Sequence, residues 1–301
     1  MDINRESLEV LFQEFLVKYT DAFNGAAETT LIDSIAMIQE SAGHSTKQAW
    51  LNQIPKMREW VGDRIVKNFE SNSFDVINRL FEATIEIDRV DMEDDLHRLY
   101  LPLATAMGKN ARVHPDELAF DAMVADVNWG GDLQKFYSTT RKFGTNDIVN
   151  KTDAGLSEAE VEVAFERMSS YVGHGDEPLG VVPFALVHGP TNRTLAFDIL
   201  QNDLRVSGNA AIRNRNLNLV TPVQSNRFVG ANKDRWFILG ESAGIRGVVY
   251  QNRMEAEFQS QKMDIDSEHA FDFDSFEMGT RARGEAFLAL PQLVYGGGFA
   301  P

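Results

Sequence analysis

The 301-residue sequence predicts an α+β protein. Three observations carry that expectation. Apolar residues recur at helical spacing near the N-terminus and again after Pro102. One strand, Phe81 to Asp88, alternates strictly between apolar and polar. The last third of the chain mixes short strand-like runs with loops, and helices are segregated from it.

In residues 5–19, Leu8, Leu11, Phe12, Phe15, Leu16 and Tyr19 make one apolar face, opposite Glu6, Glu9 and Glu14. A membrane-surface helix would carry lysines where these glutamates stand, so this face is expected to pack on protein. The Gly/Ala/Thr-rich stretch Asn24–Thr30 is expected to loosen the chain. Between Trp50 and Leu80 lies a long polar hairpin, with β-like runs at Ile65, Val66 and Phe69 and at Phe74, Val76 and Ile77, around a turn at Ser71-Asn72-Ser73.

In the alternating strand Phe81, Ala83, Ile85 and Ile87 face one way and Glu82, Thr84, Glu86 and Asp88 the other, one side buried and one wet. Asp91, Glu93, Asp94 and Asp95 follow, as carboxylates do ahead of a helix N-terminus. Pro102 suits a first helical position. Leu103, Ala106, Met107, Ala111, Leu118 and Met123 then mark a helix to about Val124, which Pro115 should kink.

Residues 127–156 read as irregular and polar. Ser157 and Glu160 form a capping box ahead of Val161, Ala164, Phe165 and Met168. A strand is expected at Val181–Val187 and a helix around Thr194–Asp203. Further strands are expected at Leu217–Val220, Arg235–Leu239, Gly247–Gln251, Phe271–Phe276, Arg281–Leu288 and Gln292–Tyr295.

Composition narrows the function. A hydrophobic fraction of 43% supports real cores. With no cysteine there is no disulfide, thiolate metal site or thiol catalysis. A net charge of −16 opposes a nucleic-acid-binding role and keeps subunits soluble. No run reaches the roughly 20 apolar residues of a membrane span, and no basic n-region with an apolar core marks a signal peptide.

No catalytic constellation is visible. His44, His97, His114, His174, His188 and His269 share no metal-ligand spacing. There is no nucleophile elbow and no phosphate-binding glycine loop. His188-Gly189-Pro190 reads as a strand-terminating loop. The acidic tract Asp264–Asp274 lacks the turn glycine and terminal glutamate of a calcium loop. Arg213 to Asn216 reads as a solvated basic-polar loop. No cofactor and no metal are expected.

The hairpin tip differs in kind. Lys56, Arg58, Glu59, Asp63 and Arg64 mix signs around Met57 and Trp60. An isolated hairpin of this length would bury little of Trp60, whereas Trp and Arg are favoured interface anchors. Lys56, Arg58, Glu59, Trp60, Asp63 and Arg64 are the candidate inter-subunit contact, the alternative being a hairpin packed on its own domain.

The run QIPKMREWVGDRIVKNFESNSFDVINRLFEATIEIDRVDMEDD resembles the hallmark stretch of Mu-like major head subunits, through Pro55–Trp60, Gly62–Arg64, Phe81–Thr84, Arg89 and Asp91–Asp95. His114–Leu118 is similar to the same family's helix motif. Weaker likeness continues through Leu156–Met168, Pro178–Gly180, Val182–Val187, Trp236-Phe237, Val249–Gln251 and Gly279–Gly284, and is poorest over Asp126–Lys151.

The resemblance implies the Hong Kong 97 type capsid fold. Its parts would be an N-terminal arm (1–45), an extended E-loop hairpin (46–80) and a P-domain (81–154) whose spine helix covers about 100–126. An A-domain (155–245) and a P-domain return with C-terminal strands (246–301) would follow. It also implies self-assembly into hexamers and pentamers of an icosahedral head around double-stranded DNA, which the shell would meet by non-specific proximity. Scaffolding protein, a maturation protease and a portal would take part, with room for a decoration protein. There would be no membrane partner and no enzymatic activity, and the location would be the virion, with host cytoplasm during assembly. The competing readings are a nanocompartment shell of the same fold and a metal-dependent hydrolase using Glu93, Asp94 and Asp95.

Overall fold

A computed structural model describes residues 5–51, 71–94, 99–130, 132–143, 146–173, 177–207, 210–260 and 274–299. The N-terminal apolar stripe forms helix α1 (Arg5–Gly25), six residues longer than the spacing alone predicts. Leu8, Leu11, Phe15 and Tyr19 on its inner face are buried. The expected loosening at Asn24–Thr30 does not occur, because α1 runs to Gly25 and a 3-10 turn, Ala26–Thr29, continues it. A short helix α2 (Ile32–Ile35) and strand β1 (Ala36–Glu40) follow.

Strands β2 (Ser45–Leu51) and β3 (Ser71–Ile77) pair antiparallel from Ser45 with Ile77 to Leu51 with Ser71. Ser71-Asn72-Ser73 is therefore strand and not turn: cross-strand pairing overrides the local turn preference of these residues. The alternating strand is β4 (Arg79–Asp88). On it Ile87 is buried and Phe81 and Ile85 are half-buried, but Ala83, expected on the same face, is exposed, as are Glu82, Thr84, Glu86 and Asp88.

Among the described residues, none of the acids after β4 caps the long helix. Asp91 stands in the first turn of a separate short helix, α3 (Arg89–Glu93). Helix α4 (Leu101–Val124) starts with Pro102 in its first turn and contains Pro115, with Tyr100 as its N-cap. Asp91 still serves that helix start, by accepting the Tyr100 hydroxyl hydrogen bond.

Residues 127–156 are more ordered than their polarity implies. They carry the short hairpin β5 (Arg141–Phe143) and β6 (Asn146–Ile148), and Trp129, Phe136, Tyr137 and Ile148 are buried. Buried polar groups organise the segment. The Arg141 guanidinium meets Asp132 at 2.7 Å and donates to the carbonyls of Phe136 and Lys135. The Asn150 amide donates to the carbonyls of Phe136, Pro291 and Val294.

Helix α5 (Glu158–Ser170) begins where expected, with Ser157 Oγ accepting the Glu160 N–H at 3.3 Å. Strand β7 (Val182–His188), helix α6 (Arg193–Leu200) and the ribbon β8 (Leu204–Ser207) and β9 (Ala210–Arg213) come next. The strand expected at Leu217–Val220 is a turn with Asn218 at φ +57°, and the strand β10 is Thr221–Gln224.

The remaining strands are β11 (Trp236–Ser242), β12 (Ile245–Arg246), β13 (Val248–Ser260), β14 (Ser275–Leu288) and β15 (Val294–Gly297). Two of the expected strands, ending at Phe276 and beginning at Arg281, are one continuous strand, β14; Phe271 and Phe273 lie outside the described residues. Gln292 and Leu293 belong to a 3-10 turn before β15.

Two main sheets result. One has the order β1-β13-β14-β4, with β1 parallel to β13 and the other pairs antiparallel. The other has the order β10-β7-β11-β12, with β15 also on β11. Residues 246–301 thus divide between the sheets. Helices α1 and α4 pack on the first sheet, and at Gly108 a Cβ would lie 2.4 Å from the Tyr19 carbonyl oxygen, so only glycine permits this helix approach.

One apolar core spans both sheets, from Ile35 and Val248 through Trp129 and Tyr137 to Leu186, Phe237 and Tyr295. A satellite core joins Leu8, Leu11 and Phe15 of α1 to Ile87, Ala104, Phe276 and Met278. The buried Asp116 carboxylate accepts the N–H groups of Leu31 (2.9 Å) and Ile32 (2.7 Å), which ties α2 to α4. Burial raises its pKa, and these two hydrogen bonds oppose the rise.

Candidate assembly interface

Lys56, Arg58, Glu59, Trp60, Asp63 and Arg64 lie outside the described residues. What the structure shows is the root of the hairpin that carries them. Strands β2 and β3 form a two-stranded ribbon of their own, outside both main sheets. A free ribbon of two strands is marginal in water, so its attachment decides where it points.

That attachment is a chain of buried amides and hydroxyls. Gln48 Nε2 donates to Gln251 Oε1 at 2.9 Å, and Gln251 Nε2 donates to Asn78 Oδ1 at 2.7 Å. Asn78 Nδ2 donates to Ser41 Oγ at 2.9 Å and to the Gly43 carbonyl at 2.8 Å. The hydroxyls of Ser41 and Thr46 lie 2.7 Å apart. Gln251 is fully buried, so each of these bonds replaces water that cannot reach it.

Apolar contacts complete the root. Phe74 of β3 meets Phe287 of β14 edge-on at 5.7 Å. The backbone at Gly130 lies so close to Phe74 that a Cβ there would sit 2.3 Å from the Phe74 Cβ. Together these contacts fix the ribbon on β13, β14 and the segment after α4.

The long helix is tied to the second sheet at its C-terminal end. Arg227 pairs with Glu117 at 3.1 Å and Asp121 at 2.9 Å, and Arg235 donates to the Val124 carbonyl at 2.7 Å. The carboxylates beside Arg227 raise its pKa. His114, on the same helix, packs edge-on against Phe81 with ring centroids 4.3 Å apart. Burial lowers its pKa, Glu117 opposes that, and Arg79 and Arg227 add to it.

Other sequence candidates take structural places. His188 ends β7, buried, with Nδ1 at 2.9 Å from the Gly189 carbonyl oxygen, and burial lowers its pKa. Asn214 and Asn216 are buried, which corrects the expectation of a wholly solvated loop; only Arg213 and Arg215 face water. Among the described residues no group of three or more His, Asp or Glu could hold a metal ion. Asp95 lies outside them. Among the described residues no helix is long and apolar enough to cross a membrane.

Sequence reasoning missed the amide root of the hairpin. Ser41, Gln48, Asn78 and Gln251 are uncharged, form no motif, and come together across up to about 200 positions of sequence. The one available signal was a glutamine inside an apolar strand, at Gln251 after Val248, Val249 and Tyr250.

Comparison with known proteins places this architecture. The major capsid protein of Escherichia phage Mu is 40% identical over 88 residues, which is 29% of this chain and 29% of that protein. The FluMu prophage major head subunit of Haemophilus influenzae (strain ATCC 51907 / DSM 11121 / KW20 / Rd) is 30% identical over 168 residues, covering 52% of this chain and 54% of that protein. The matches thus span from under a third to about half of these relatives' lengths.

A chain from the procapsid of bacteriophage JBD30 superposes over 98% of this chain and 75% of its own length, at 25% identity and a TM-score of 0.57. A chain from the mature capsid of bacteriophage PhiM1 shares the fold at 9% identity and a TM-score of 0.54, over 89% of this chain and 86% of that one. The fold is therefore the Hong Kong 97 type found in phage capsids. The family described as Mu-like prophage major head subunit gpT matches residues 8–153, 142–224 and 221–298. With that match running nearly end to end over a capsid fold, the chain belongs to the Mu-like major head subunit family.

Proposed function

We propose that this chain is the major capsid protein of a Mu-like phage head, self-assembling into hexamers and pentamers of an icosahedral shell around double-stranded DNA. The family match from residue 8 to residue 298 carries this reading. The likeness to the JBD30 procapsid chain over 98% of this chain supports it. The role is structural and not enzymatic.

In this reading residues 46–80 are the E-loop and α4 is the spine helix. The four-stranded sheet forms the P-domain side and the five-stranded sheet the A-domain side, with the residues after 246 shared between them. The E-loop tip, with Lys56, Arg58, Glu59, Trp60, Asp63 and Arg64, grips a neighbouring subunit. Cyclic capsomers use heterologous contacts, so each subunit needs two different adhesive surfaces, and a ribbon rooted by buried amides holds one of them in place. Scaffolding protein, a maturation protease and a portal act during assembly in the host cytoplasm, and the finished protein resides in the virion.

Negative-stain microscopy with light scattering over a concentration series tests the proposal, on the chain alone and co-expressed with its scaffold. Rings of five or six, tubes or closed shells are expected. The double variant Trp60→Ala, Arg64→Ala should fold and fail to assemble. A wild-type chain that stays monomeric even with scaffold would overturn the function, and normal assembly of the variant would overturn the role of the tip.

A further inference from the structure

The acid surplus of this chain is not evenly spread. Residues 204–233 contain five basic residues (Arg205, Arg213, Arg215, Arg227 and Lys233) and no acidic residue, in a chain of net charge −16. The stretch begins with the β8–β9 ribbon, which belongs to neither main sheet.

Within it Arg213 and Arg215 are held as a pair. Alternate residues turn in and out: Asn214 and Asn216 are buried, Arg213 and Arg215 exposed. The Asn214 amide donates to the carbonyls of Ile199 (2.9 Å) and Asn202 (2.8 Å). Asn216 donates its N–H to Asn214 Oδ1 at 2.9 Å, and its side-chain amide to Glu158 and Glu162. These pegs fix the backbone from which both arginines project. The two line one open depression with Ile212 and Leu217, and the exposed Leu204 stands opposite Arg213 in the ribbon register.

Neither arginine forms an ion pair with a described residue. Arg79, Arg112, Arg141, Arg227 and Arg246 all do. In a chain with 45 acids and 29 lysines and arginines, a carboxylate partner within the subunit would be easy to supply. A preorganised guanidinium pair left open beside apolar side chains matches a planar carboxylate presented from outside.

We propose that Arg213 and Arg215 dock the carboxylate-bearing surface of a second copy of this chain. Charge complementarity decides the occupant. Every copy carries a large acid excess, and two exposed arginines that form no ion pair with a described residue are what such an excess would seek. Nucleic acid fits less well, because two arginines neutralise few phosphates while the rest of the chain repels the polyanion. This contact rests on the self-assembly reading above.

The test compares wild type, Arg213→Glu/Arg215→Glu and Arg213→Lys/Arg215→Lys by light scattering in about 50 mM and about 500 mM salt, with scaffold co-expressed where wild type requires it. The charge reversal should raise the concentration needed for assembly by roughly tenfold in low salt, with the gap narrowing in high salt. The lysine pair should fall between the two. All three should melt within about 3 °C of one another, since surface substitutions change stability little. Assembly of the reversed variant at the wild-type concentration overturns the contact while leaving the capsid reading intact. Loss of DNA retention with unchanged assembly also overturns it, in favour of a phosphate site. A wild-type chain that never assembles overturns both readings.

Discussion

His114 shows how one residue reports its surroundings. Its ring packs against Phe81, its Nε2 is buried without a hydrogen-bond partner among the described residues, and Glu117, Arg79 and Arg227 lie around it. Burial is the largest influence, and it lowers the folded-state pKa below the ordinary 6.5. Above the unfolded value both states are neutral at this position and the full stability is present. As pH falls below it, the unfolded chain takes up the proton first, so stability drops until the folded pKa is passed. His114→Asn should therefore flatten the fall in urea midpoint between about pH 7 and about pH 5 relative to wild type. His188 is also lowered by burial and titrates in both proteins, so the difference isolates His114. Parallel curves would show that the ring is solvated in the folded state.

At the scale of elements, the β2–β3 ribbon depends on a side chain it does not contain. Gln251 of β13 accepts from Gln48 and donates to Asn78, and it is fully buried. Gln251→Leu fills similar space and strands both partners, which should cost about 2–4 kcal/mol by urea denaturation. The loss should be local as well as global: amide exchange should speed up at Thr46, Gln48, Phe74 and Val76 more than in β7. Equal protection in both places would mean that the ribbon is held by Phe74 against Phe287 and Gly130 instead. Much of the element structure was legible beforehand. The α1 stripe, the Ser157–Glu160 cap and the β4 alternation each answer to a local rule. Ser71–Ser73 were misread because their residue types favour turns, while their partner, β2, lies elsewhere in the chain; Asp91 does stand at a helix start, but that of the short helix α3 and not of the long one.

For the whole molecule the two sheets share one apolar core, which also takes in Trp129 and Tyr137. The link between α4 and the second sheet through Arg227 is half-exposed, and such pairs contribute up to about 1 kcal/mol. Calorimetry of the unassembled subunit should accordingly show one cooperative transition, and Arg227→Met should shift it slightly without splitting it. Two resolved transitions would mean that the sheets fold as separate units and that the arginine, not the core, couples them.

The α+β class, the long helix, the alternating strand and the family can be read from the chain alone, because each is written in neighbouring residues by spacing, caps or a contiguous motif. How the hairpin is rooted, how β13 and β14 part from β15 into two sheets, how Arg141 and Asn150 order a polar segment, and how Asn214 and Asn216 turn inward to hold two arginines outward emerge only in three dimensions. These are long-range or alternating placements of uncharged amides and lone charges. Their energies come from excluding water around a specific partner, and no local pattern names that partner.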